Sequence, residues 1–79
     1  MAKDELLDTL RGLLHEVLRA RFDGAAYAKL ARAHGYADGY MRALLDAAIV
    51  DKQTLLGLVG EERRRFVEAE TVAAATVAA

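Results

Sequence analysis

Two histidines, His15 and His34, are the side chains of this sequence best suited to metal binding or to proton transfer near neutral pH. Metal sites on helices place their ligands three or four residues apart, and neither histidine has a second histidine at that distance. His34 lies near the expected end of a helix, where a positive charge is favourable. We therefore predict no metal site and no cofactor.

Residues able to carry out catalysis are few, because the 79-residue chain contains no cysteine and no serine. Thr, Tyr, Lys and carboxylates remain as nucleophiles, but no carboxylate pair is embedded in apolar sequence, where burial would raise its pKa. The four glycines Gly35, Gly39, Gly57 and Gly60 form no phosphate-binding motif. A chain this short also has little room for an enclosed pocket. The sequence therefore predicts a protein that is not an enzyme.

The composition indicates helices as the elements that position these residues. Hydrophobic residues make up 54% of the chain and aromatic residues only 6%, so alanine, leucine and valine dominate, and there is no proline. A net charge of −1 gives no overall attraction to nucleic acid or to anionic lipid. No apolar run approaches the roughly 18 residues of a membrane span, and the first ten residues lack the apolar core of a signal peptide. We expect a cytoplasmic protein.

The first helix is predicted over residues 4–22, where leucines and valines recur every three or four positions. Its apolar face is wider than a coiled-coil seam, so the helix is expected to contact more than one neighbour. A chain this small covers little apolar surface by itself, which favours a second copy or another protein as a partner. The residues predicted to form this interface, together with one from the last helix, are Leu6, Leu10, Leu13, Leu14, Val17 and Phe66.

A turn at residues 22–24 precedes a predicted short second helix over residues 25–34. Gly35 is placed to end that helix in the left-handed conformation, and Asp38 is placed to cap a third helix. This arrangement predicts a glycine turn between two helices in the middle of the chain.

The fourth helix is predicted to begin after a boundary between Val50 and Lys52, where Asp51 and Thr54 have the spacing of a helix cap. We predict a single helical domain over residues 1–70. Residues 71–79 contain only alanine, valine and threonine, and this low-complexity tail is expected to be a frayed helical extension or disordered.

The only basic run, Arg63 to Arg65, has glutamates on both sides. It could bind phosphate or an acidic partner, but the neighbouring carboxylates nearly cancel its field. A solvated helix face that pairs its own charges is the interpretation we favour.

The spacing in the central stretch resembles the helix-turn-helix motif of DNA-binding proteins. Ala31 is the small residue of the first helix, Gly35 is the turn glycine, and Met41 and Leu44 are the apolar positions that lock the second helix. The resemblance implies DNA contacts from Tyr36, Tyr40 and Arg42. The same spacing also fits two helices that simply pack across a glycine turn, and Arg42 would be the only good base reader on the second helix.

The sequence thus predicts an all-α fold, a small antiparallel bundle of about four helices with a helix-turn-helix-like corner. The leading functional prediction is a non-enzymatic protein–protein interaction or oligomerisation module, such as a homodimer. The alternative is a helix-turn-helix transcriptional regulator that binds DNA.

Overall fold

The computed structural model describes residues 2–78, and these residues form three α-helices. The helices are α1 (Lys3–Phe22), α2 (Tyr27–Asp46) and α3 (Lys52–Ala78). Short turns make α1 antiparallel to α2 and α2 antiparallel to α3, so α1 and α3 run in the same direction. This all-α arrangement confirms the predicted fold class. None of these helices has both the length and the apolar composition needed to cross a bilayer.

The first helix is the centre of the fold, because both α2 and α3 pack against it. Leu10 is completely buried, and Leu14 and Val17 lie in the same core cluster. Two ion pairs connect α3 to α1. Arg11 Nε lies 3.5 Å from Glu62 Oε1, and Arg19 Nη2 lies 2.7 Å from Glu70 Oε1.

The predicted corner in the middle of the chain is wrong, because α2 is one continuous helix through Gly35. Asp38 is an exposed residue in its interior and caps no helix end. A glycine inside a helix costs only about 1 kcal/mol. Burial of the continuous apolar face of α2 offsets that cost. This face consists of Leu30, Ala33, Ala37, Met41 and Leu44. The predicted second and third helices are therefore a single element, and the bundle has three helices within residues 2–78.

Both helix ends that lead into turns close on a residue in the left-handed conformation. After α1 this residue is Gly24, with φ of 68°, and after α2 it is Ala48, with φ of 56°. In each turn, the residue after the left-handed one donates its backbone N–H to the carbonyl five positions earlier. Ala25 N–H donates to the Ala20 carbonyl at 2.9 Å, and Ile49 N–H donates to the Leu44 carbonyl at 3.0 Å. Only the first turn uses glycine, which adopts this conformation without a steric penalty.

The third helix begins where the sequence predicted, after Asp51. The backbone N–H of Thr54 donates to the Asp51 carboxylate at 2.7 Å. Hydrogen bonds from Thr54, first from its hydroxyl and then from its backbone, lower the pKa of this carboxyl group. The helix continues through the predicted tail as far as Ala78, and Ala79 lies outside the described residues.

Candidate functional site

An apolar groove lies between α2 and α3, with α1 as its floor. It consists of two joined cavities of about 150 and about 430 Å³, which share Asp38, Met41 and Val59. The apolar residues that line this α2–α3 groove are Leu14, Val17, Leu18, Ala37, Met41, Leu45, Leu55, Leu56 and Val59.

The groove stays open because α2 and α3 each pack on α1 and make only slight contact with each other. Two leucines consequently face solvent on its walls. Leu45 on α2 is 36% exposed and Leu56 on α3 is 62% exposed. Large apolar side chains grouped in a concave surface are typical of binding sites, whereas single exposed leucines are not.

Adjacent leucines explain how each wall is built. Neighbouring positions on a helix point about 100° apart, so both members of a Leu–Leu pair cannot face the same helix. In α2, Leu44 is buried against the core and Leu45 faces the groove. In α3, Leu55 is buried and Leu56 is the exposed member of its pair. Two adjacent leucines in a helix therefore indicate that the helix has a second apolar face besides the one that packs in the core.

Charged side chains surround the groove unevenly. Arg21, Arg42, Lys52 and Arg63 line it, whereas Asp38 is its single lining carboxylate among the described residues. Arg42 Nε bonds Asp46 at 3.1 Å, and Arg21 Nη2 lies 2.8 Å from His34 Nε2. The groove is therefore apolar inside and predominantly cationic along its rim.

A second, smaller surface lies beside the C-terminal half of α3. Phe22 is exposed at the end of α1 and stacks edge-on against Phe66, with ring centroids 5.8 Å apart. The Arg19 guanidinium covers the Phe66 ring at 5.2 Å while it bonds Glu70. A shallow cavity of about 370 Å³ continues from these rings to Val67. Phe66 is buried there, whereas Phe22 and Val67 remain exposed on this shallow surface.

The third cavity, between α1 and α2 on the opposite side, is more polar and measures about 470 Å³. Lys29 and Arg32 lie there with Glu16 and Asp23, so both charge signs face an open surface. Within the described residues, no group of three potential metal ligands comes together. No polar or charged side chain in that part of the chain is buried. The described chain thus holds no enclosed titratable group.

Comparison with protein-family models, with curated proteins and with solved structures finds no match to this chain.

The residues predicted to form an interface lie mainly in the core of the single chain. Leu10, Leu14, Val17 and Phe66 are buried. The remaining two, Leu6 and Leu13, are partly buried against the same core. The groove reaches only Leu14 and Val17 of this set, and it does so at its floor. Apart from Phe22 at the end of α1, the exposed large apolar residues of the described chain lie on α2 and α3.

The residues predicted to contact DNA lie on different sides of α2. Tyr36 is exposed beside the polar α1–α2 cavity, and Tyr40 is partly buried against the core. Arg42 lies at the α2–α3 groove and is paired with Asp46. The structure does not bring the three side chains together on one surface.

Proposed function

We propose that this chain is a non-enzymatic protein–protein interaction module that binds an amphipathic helix of a partner protein in the α2–α3 groove. The observation that carries the proposal is the pair of leucines, Leu45 and Leu56, held apart and exposed on the two walls of an apolar groove. The lack of buried charged groups among residues 2–76 supports a binding role over a catalytic one.

A helix is the element that suits this groove. From His34 to Leu45 the groove follows 12 positions of α2, which corresponds to about 17 Å or roughly three helical turns. A helix satisfies its own backbone hydrogen bonds, so only its apolar side chains need to enter the groove. A helix bound there would pack against α2 and α3 and complete a four-helix bundle.

The test uses a synthetic amphipathic peptide of about 18 residues, roughly five turns, with leucine and alanine on one face and glutamine on the other. Fluorescence anisotropy should show saturable binding. Leu56→Asp should weaken binding by about tenfold or more, because burial of one leucine contributes about 1.5–3 kcal/mol. The fold should survive this change because Leu56 is 62% exposed.

Val72→Asp is the matched control, since Val72 is equally exposed on α3 but lies outside the groove. Its affinity for the peptide should equal that of the unmodified protein. Absence of saturable binding, or an equal loss in both variants, would contradict the proposal. Sedimentation of the protein alone provides a second criterion, because a dimer that excludes the peptide would show that a second copy occupies the groove.

A further inference from the structure

The α2–α3 groove concentrates positive charge in a chain whose net charge is −1. Arg21 and Arg63 line the cavity at one end, and Arg42 and Lys52 line the cavity at the other. Asp38 belongs to both cavities and so lies near the middle. The order along the groove is therefore positive, negative, positive.

The arginine run of α3 divides between two environments. Arg64 lies 3.8 Å from Glu68, and Arg65 lies 2.8 Å from Glu61, so both pair within the helix. Arg63 lines the groove and has no carboxylate within 4.0 Å among residues 2–76. Lys52, at the other end of the groove, likewise has none in that part of the chain. These two cations are available to a bound partner.

Lys52 and Arg63 also lie on one line along α3. They are 11 positions apart, which is very close to three full helical turns and about 17 Å along the axis. A helix bound along α3 would meet both cations on the same side. Carboxylates separated by 11 residues on that helix would therefore face them together.

We propose that the partner helix is acidic, with two carboxylates 11 residues apart beside its apolar face and no acidic residue opposite Asp38. This inference depends on the proposed function of the groove. Ion pairs at an exposed rim contribute modestly to affinity, but they select the partner and accelerate its association. A second copy of this chain would place the same cationic rim against itself in a two-fold dimer, which opposes self-association through this surface.

The test compares three peptides with the same apolar face. One has glutamate at the two positions, one has lysine and one has glutamine. At low salt the glutamate peptide should bind roughly ten- to thirtyfold more tightly than the lysine peptide, because attraction replaces repulsion at two rim sites. The difference should shrink as salt screens the exposed charges.

Arg63→Glu should remove or reverse the preference for the glutamate peptide. Arg64→Glu is the matched control, because it makes the same charge change at the next position, where the side chain points away from the groove and pairs with Glu68. The preference should persist in this control. Circular dichroism should show that both variants remain helical.

The outcomes separate the two proposals. If the glutamine peptide does not bind, the proposed function fails. If it binds but the glutamate and lysine peptides bind equally well, the function stands and the acidic partner is refuted. Duplex DNA provides a further arm, since binding that Arg63→Glu abolishes and Arg64→Glu preserves would assign the cationic rim to nucleic acid instead.

Discussion

Replacement of Leu10 by alanine tests whether the wide apolar face of α1 is buried within one chain. Leu10 is 0% exposed and belongs to the core cluster formed by all three helices. Truncation of a fully enclosed leucine removes about 3–5 kcal/mol, from the lost burial and from the cavity left behind. A 79-residue domain has about 4–12 kcal/mol in total, at about 0.05–0.15 kcal/mol per residue. Leu10→Ala should therefore remove a large part of the stability.

Urea unfolding followed by circular dichroism measures this change, and thermal melting should show a fall in Tm of at least about 12 °C. Each experiment should be run at two protein concentrations about tenfold apart. Unfolding of a monomer doesn't depend on concentration, whereas unfolding of a dimer held together by Leu10 does. We expect the same midpoint at both concentrations.

Leu56→Ala is the control, because Leu56 has the same side chain but is 62% exposed. Its free energy of unfolding should change by no more than about 0.5 kcal/mol. Two results would refute the assignment of Leu10 to the core of one chain. One is a decrease of less than about 1 kcal/mol in the free energy of unfolding of Leu10→Ala, and the other is an unfolding midpoint that rises with protein concentration.

The remaining predictions concern the backbone and the pH dependence. Gly35→Ala should stabilise the protein by about 0.5–1 kcal/mol in urea unfolding, because Gly35 is inside α2 and a Cβ atom there meets nothing within 4 Å. A destabilised variant would support the turn that the sequence predicted. Ala48→Gly should also stabilise the protein, by about 0.5–1 kcal/mol, because it removes an alanine from the left-handed conformation. Gly24→Ala should destabilise the protein, because it places an alanine in that conformation. Changes of the same sign in the free energy of unfolding of the two variants would contradict this account. Asp51 has a lowered pKa, so its contribution to stability is present above its unfolded pKa of about 3.9 and is lost as the pH falls through the folded value. Below about pH 4, the free energy of unfolding in urea should therefore change less with pH in Asp51→Ala than in the unmodified protein. The same change with pH in both proteins would exclude this role for Asp51.

Local sequence signals correctly predicted α1, the turn that follows it and the start of α3. The apolar periodicity predicted α1 over residues 4–22, and the helix occupies Lys3–Phe22. Gly24 turns the chain after α1, and the carboxylate of Asp51 caps α3 as its spacing with Thr54 indicated. Each of these signals acts within a few residues, so neighbouring positions alone determine the outcome.

The middle of the chain depends on packing over longer distances, which the sequence pattern did not resolve. Gly35 can end a helix or lie inside one, and the difference is only about 1 kcal/mol. Burial of Ala37 and Leu44 against α1 favours the continuous helix. The candidate site was missed for a related reason. The exposure of Leu45 and Leu56 depends on α2 and α3 remaining apart, and no local sequence pattern indicates that separation.

The slight contact between α2 and α3 also affects how the molecule opens. The antiparallel pair of α1 and α2 keeps its own contacts if α3 leaves, so detachment of α3 is a partial unfolding that costs less than global unfolding. The same two-helix hairpin is complete before the ribosome has synthesised α3, and it involves shorter chain separations than the contact between the first and last helices. We therefore expect the hairpin of α1 and α2 to persist when α3 detaches, and α3 to join it last during folding.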